Sequence, residues 1–349
     1  MPPESESDRR VSRAKTLFSA ALIPLAWLVL GLGWLWALLV LWFFAPWPVW
    51  VRVSAALIWG AFAAWAAARL PAPTALKAIA AGIAVVWLLW FLRHPSNDRD
   101  WTPDQARMPV AHFEDDAVRI ENVRHAAYRA TDDYDVEWCS RRYDLNSIRS
   151  VEYVVEQFAS WRGPAHTFLT FGFDGDRYVA ISVEIRKEKG ESFSILAGLF
   201  KHYEIMYVVA DERDLIGLRV NVRENPVYLF PIKAEREHIR TLFVAMLERA
   251  NQLHERPEFY NTLTNTCTTN IVRHLKQVSQ RDVPFDLRVL FPGYSDELGF
   301  ELGLIDFDGS PEEARRHCLL EGSTKTSPDE PDWSRTIRKE IRGPKAPAE

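Results

Sequence analysis

The chain has 349 residues, with 47 acidic against 42 basic side chains and a formal net charge of −5. That balance, without any Lys/Arg stripe carrying interleaved aromatics, gives no cue for nucleic acid as a partner. Three cysteines, Cys139, Cys267 and Cys318, lie far apart with no Cys-x-x-Cys pair, so a zinc-ribbon or thioredoxin-type reading fails. No P-loop, dinucleotide fingerprint or Gly-x-Ser-x-Gly occurs, and the histidines show no metal-ligand spacing with carboxylates, so neither a metal nor another cofactor is expected.

In chain order, residues 1–16 carry Arg9, Arg10, Arg13 and Lys15 and read as a cytoplasmic N-terminus. Residues 17–92 read as a transmembrane anchor of three helices, about 17–44, 49–70 and 76–92. The first run, Leu17 to Phe44, has no charged side chain, and a hydrocarbon core of about 30 Å needs about 20 apolar residues. Arg52 and Lys77 sit near span ends, where long basic side chains reach the interface. Placing the N-terminal basic cluster with Arg69 and Lys77 in the cytoplasm satisfies the positive-inside rule. Everything after Leu92 then lies in the periplasm of a multi-pass inner-membrane protein. No intramembrane ionisable pair marks a pathway, so the helices read as an anchor.

Residues 93–117 are polar with three prolines and read as a linker. Residues 118–320 read as one α+β domain with a mainly antiparallel sheet. Strands are expected at Val118–Val123, Ile148–Phe158, His166–Phe173, Arg177–Ile185, Ile205–Ala210 and Pro226–Ile232. Asp174-Gly-Asp176 joins the third and fourth as a hairpin. Ser194–Tyr203 is expected as a short helix, Ala234–Leu253 as an amphipathic one, and a further helix runs from Cys267 to about Val278. Residues 321–349 have little periodicity and read as a disordered tail.

Cys267 lies in Tyr260-Asn-Thr-Leu-Thr-Asn-Thr-Cys-Thr-Thr-Asn270, at a helix start, where the dipole and unpaired N–H groups favour thiolate. The hairpin supplies a base. Its register sets His166 opposite Glu184, on a face shared with Phe168, Thr170, Ser182 and Ala180, and Leu169, Phe171, Val179 and Ile181 face the core. A helix carrying Cys267, docked over the His–Glu face, would form a nucleophile–base–orienter set. The Cys267 N–H, with the Asn265 side chain or the Tyr260 hydroxyl, would receive the oxyanion. The same residues have plain readings too: Cys267 as a small core residue, Asn265 and Thr266 as helix caps, and Glu184 as the start of a charged loop. The sequence also permits a Cys139–Cys318 disulfide that leaves Cys267 free.

Several segments in order resemble the Lnb N-terminal periplasmic domain family, named after a bacterial lipoprotein N-acyltransferase. They are Asn97–Trp101, Ile120–Arg124, Gly163–Gly172, Ile181–Glu191, Tyr260–Thr269 and Leu290–Asp296, spanning roughly residues 97–307. The order His first, Cys later also resembles the circularly permuted NlpC/P60 papain-like thiol enzymes. The resemblance implies a permuted papain-like domain with Cys267 as nucleophile and His166 as base; Glu184 as orienter comes from the strand pairing. It departs from the name-giving acyltransferase in carrying its membrane helices ahead of the domain. The activity it implies is acyl transfer from a phospholipid donor to an amine, such as a lipoprotein N-terminus, at a membrane-lipid surface. Two other readings are a cell-wall amidase or peptidase and a non-catalytic envelope scaffold.

Overall fold

The computed structural model describes residues 6–44, 47–279, 283–284, 286–320 and 332–341. The chain divides into two units, residues 1–94 with 200–202 and residues 95–199 with 203–349.

The first unit holds three helices, α1 (Glu6–Phe43), α2 (Val49–Arg69) and α3 (Ala72–Leu92). Pro24–Phe43, Val49–Arg69 and Ala72–Leu92 are long and apolar enough to cross a membrane. The basic segment expected as a separate N-terminus is helical from Glu6 onward and continues into α1; residues 1–5 lie outside the described residues. α3 starts at Ala72 rather than near Leu76, because Pro73 sits in the first turn, where its missing N–H has no helical acceptor to lose. Leu28, Leu32, Ile58, Val85 and Phe91 stay exposed, as side chains facing hydrocarbon can. Small residues let the helices approach: a Cβ on Gly82 would come within 2.8 Å of the Trp59 ring. The Trp59 indole donates to the Trp34 carbonyl at 3.2 Å, which satisfies its N–H in apolar surroundings.

The second unit is built on a nine-stranded sheet. Its strands are β1 (Val110–Glu114), β2 (Ala117–Tyr128), β3 (Tyr134–Asp144), β4 (Ile148–Gln157), β5 (Ala165–Phe173), β6 (Arg177–Arg186), β7 (Glu204–Ala210), β8 (Val227–Pro231) and β9 (Leu319–Leu320). The order is β1-β2-β7-β6-β5-β4-β8-β9, with β3 pairing β2. Every pairing is antiparallel except the single β2–β7 bridge at Arg124↔Ala210. The fold is therefore α+β with a mostly antiparallel sheet, as the alternation predicts.

Both faces of this sheet are covered. α5 (Arg236–Glu255) buries Ile239, Leu242, Phe243, Met246 and Leu247, the stripe its period predicts. Phe243 meets Phe171 at 5.0 Å and Phe173 at 5.4 Å between ring centroids, so α5 lies on the core face of β5. Full burial of one such side chain is worth about 1.5–3 kcal/mol. α6 (Cys267–Ser279) packs beside it. On the opposite face lie α4 (Glu212–Gly217), which runs into a π-helical turn over Leu218–Val222, and α10 (Trp333–Ile341). α7 (Leu287–Leu290), α8 (Ser295–Glu301) and α9 (Pro311–His317) follow α6.

Four expectations need correction. Residues 93–117 are not a linker: they contain β1, Trp101 is buried under the Arg186 guanidinium (4.2 Å to the ring centroid), and buried Gln105 bonds the Ile185 carbonyl and Lys187 N–H. The partners for these groups come from the end of β6, which polar composition cannot reveal. The helix expected over Ser194–Tyr203 is only a short 3₁₀ turn, Ala197–Leu199. The tail expected to be disordered contains α10, with Trp333 and Ile337 fully buried and Arg338 paired to Glu152 and Glu212; residues 321–331 and 342–349 lie outside the described residues. Cys139 and Cys318 are free thiols, one on β3 and the other beside β8 at the far edge of the sheet.

Candidate active site

The helix start is built by Thr266. Its hydroxyl accepts the Thr269 N–H at 3.2 Å, and the Thr269 hydroxyl accepts the Thr266 N–H at 2.7 Å, a reciprocal cap of the Ser/Thr-x-x type. Cys267 is therefore the first residue inside α6, where its own N–H has no intrahelical acceptor.

The strands beneath the cap part company. The β5–β6 ladder ends at Phe168↔Ser182, yet β5 continues along β4 to Ala165 and β6 continues along β7 to Arg186. α6 meets both strands at this fork. The Thr268 hydroxyl lies 3.0 Å from that of Thr167, and the thiol of Cys267 interacts with the His166 imidazole and with the N–H and hydroxyl of Thr167. Burial pushes the thiol up, but hydrogen bonding to His166, the imidazole charge and the Thr167 groups outweigh it and lower it to about 6. Cys267 is buried, with 7% of its surface exposed, and the His166 side chain keeps 16%.

Docking of α6 differs from the sequence reading. The helix lies on the Thr167/Leu169 face, not over the His–Glu face, and its Cys267 end lies next to His166 where the β5–β6 ladder has ended. The His–Glu face is covered instead by α4 and its π turn. Beyond the end of the ladder the expected direct pair is stretched: His166 Nε2 stands 3.8 Å from Glu184 Oε1. Ser182, the diagonal neighbour, fills the gap, with His166 Nε2 at 2.7 Å from its hydroxyl and that hydroxyl 2.9 Å from Glu184 Oε1.

Glu184 is pinned from the other side. Arg219, on the π turn, donates to Glu184 at 3.1 Å and to Glu156 at 2.7 Å, and its guanidinium lies 5.0 Å from the Phe168 ring centroid. Glu156 also accepts from Arg223 at 3.2 Å and Asn225 at 2.8 Å. Burial opposes the Glu184 charge, but Arg219, then His166 and Arg124, hold its carboxyl well below the usual range. Helices of π pitch recur at functional sites, and this one supplies the cation that steadies the carboxylate.

Of the two oxyanion candidates, Asn265 is committed elsewhere. Its amide nitrogen donates to the Phe259 carbonyl at 3.0 Å and its oxygen accepts from Asn270 at 2.9 Å, so the side chain braces the loop. Tyr260 is buried, and its hydroxyl is pushed up by burial and then by the Cys267 charge, which puts the phenol within electrostatic range of the sulfur. Sequence reasoning missed Thr167 and Arg219. Thr167 faces the core, and Arg219 lies in a helix of irregular pitch where no periodicity flags it.

On the core face, next to Thr268, is a cavity of about 60 Å³ lined almost wholly by apolar side chains, among them Leu169, Ile271, Leu275, Leu298 and Ile305. Tyr153, which lines this cavity and bonds the Ser295 hydroxyl at 2.7 Å, feels the Cys267 charge.

A thiol at a helix start, lowered by an imidazole that a second polar group steadies, has the layout of a cysteine–histidine site. Residues 134–293, from β3 to just beyond α7, match the family model of the Lnb N-terminal periplasmic domain. Together with the three apolar helices, this marks a membrane-associated protein with a periplasmic domain. Comparison with curated proteins and comparison with solved structures each found no match.

Proposed function

We propose that the protein is a multi-pass inner-membrane Cys–His acyltransferase, with a permuted papain-like periplasmic domain that moves an acyl group from phospholipid to an amine. The observation that carries this reading is the placing of Cys267 at the start of α6 against β5 at Thr167, next to His166, whose imidazole lowers the thiol to about 6. The thiolate attacks the ester carbonyl carbon, a C–S bond forms and the carbonyl pair moves onto oxygen, near the Cys267 N–H and the Tyr260 hydroxyl. Collapse breaks the C–O bond, and the imidazolium of His166 protonates the departing lysophospholipid alkoxide. An amine, such as a lipoprotein N-terminus, then attacks the thioester; His166 takes its proton and the thiolate leaves.

The apolar cavity beside Thr268, with almost no hydrogen-bonding groups in its walls, favours an aliphatic group over a cell-wall peptide, and at about 60 Å³ it has room for only a short stretch of such a chain. An anchor with basic residues inside the cytoplasm keeps the domain on a lipid surface and raises the effective concentration of a lipid donor.

The test is labelling of the membrane-embedded protein with a phospholipid carrying a tagged acyl chain. A hydroxylamine-sensitive adduct is expected in the wild type, absent in Cys267→Ala and strongly reduced in His166→Ala. An unlabelled wild type whose Cys267 still alkylates readily would replace acyl transfer by hydrolysis. An unlabelled protein with an inert Cys267 would leave only a scaffold role.

A further inference from the structure

We infer that Ser182 is the positioning residue of the site: its hydroxyl accepts the Nε2–H of His166 and donates to Glu184, which fixes the imidazole tautomer that leaves Nδ1 basic toward Cys267. The inference rests on the cysteine–histidine reading above and deepens it.

The argument is one of proton counting. A serine hydroxyl carries one proton and two lone pairs, and an ionised carboxylate only accepts. Ser182 Oγ lies 2.9 Å from Glu184 Oε1 and 2.7 Å from His166 Nε2. Glu184 stays ionised because Arg219 donates to the same Oε1 at 3.1 Å. The single Ser182 proton therefore goes to Glu184, and what remains for the imidazole is a lone pair. Nε2 must then carry hydrogen, and in the neutral ring the acceptor nitrogen is Nδ1. When Nδ1 takes the thiol proton, the charge of the imidazolium is met through the Nε2–H···Oγ–H···Oε1 chain, with the carboxylate itself 3.8 Å away.

Geometry explains why a hydroxyl is needed. The β5–β6 ladder stops at Phe168↔Ser182, so the His166/Glu184 position lies just past the last paired rung, where the strands diverge and a direct contact is out of reach. Ser182 is fully buried, so no bulk water competes for either bond. Loss of the hydroxyl leaves Nε2–H without an acceptor in a dry site, and the ring is free to turn or to take the other tautomer.

The experiment uses the full chain in detergent, in a Cys139→Ser background, and follows iodoacetamide modification of the Cys267 peptide by mass spectrometry from pH 4.5 to 9.5. Ser182→Ala is expected to raise the midpoint of the alkylation profile by about one pH unit or more, with thermal unfolding showing an intact fold. Ser182→Thr, which keeps the hydroxyl, is expected to restore the wild-type midpoint. A Ser182→Ala profile that coincides with the wild type overturns the inference, as does a shifted Ala profile that a well-folded Thr variant fails to restore. Should Thr disturb the fold, the Ala profile alone decides. A wild-type Cys267 that does not alkylate at any pH sinks the thiol reading itself, an outcome separate from either Ser182 result.

Discussion

Replacement of Arg219 by methionine tests the charged floor of the site. Arg219 is almost fully buried and donates to two carboxylates, the buried Glu156 at 2.7 Å and the half-buried Glu184 at 3.1 Å. Methionine keeps much of the stem volume over Phe168 and removes the charge. Glu156 retains Arg223 and Asn225, but Glu184 loses its strongest partner and keeps Ser182, the imidazole and the Arg124 charge. Breaking a buried pair from one side costs about 3–5 kcal/mol. At about 2–4 °C per kcal/mol for a unit of this size, the apparent Tm in detergent should fall by roughly 6–20 °C.

The pH dependence gives the sharper test. In the wild type the Glu184 carboxyl is held below its ordinary 4.5, so its contribution is present above that value and disappears only as pH falls through the depressed one. Loss of Arg219, the largest charge opposing burial, is expected to let the carboxyl rise above 4.5 despite His166 and Arg124, so the penalty should grow as pH rises from 4.5 toward neutrality. The Tm gap between wild type and Arg219→Met should therefore be widest near pH 7 and narrow as pH falls to 4.5, and Arg219→Met/Glu184→Gln should recover part of it at pH 7. A gap worth less than about 1 kcal/mol, or one equal at both pH values, would refute the reasoning.

Two further outcomes follow from the same geometry. Alkylation of Cys267 should be half-maximal near pH 6 and should shift upward by more than one unit in His166→Ala; because the folded thiol sits below its free value of 9.0, its thiolate stabilises the fold above that pH, and the contribution fades as pH drops through about 6. An unchanged midpoint in His166→Ala would detach the imidazole from the thiol. Gly293→Ala should lower Tm by an amount equivalent to about 1–3 kcal/mol or more, since its Cβ would come within 1.5 Å of the Arg162 carbonyl oxygen, in the strap that leads into β5 and His166; an unshifted melting curve would show that the strap yields freely.

The membrane helices, the β5–β6 hairpin and α5 were legible because each repeats a simple pattern: unbroken apolar runs, period-two alternation about Asp174-Gly-Asp176, and a 3.6-residue stripe. β3 escaped notice because its sequence, Tyr134–Asp144, is charged and half exposed along its length, so neither face reads as apolar. α10 was hidden for a similar reason: its buried set includes Arg338, whose partners Glu152 and Glu212 are far away in sequence.

At the candidate site, the sequence by itself singled out Cys267 and His166 as candidates and determined the helix start and the hairpin register, because those depend on local spacing and on the two-residue period of a strand. Only the tertiary structure decided how they meet. Where a ladder ends, which neighbour fills the fork, and which distant cation steadies Glu184 depend on the competition of β4 and β7 for the two strands, and that competition leaves no periodic trace. The sequence supplied a histidine opposite a glutamate; the fold parted them and put Ser182 between.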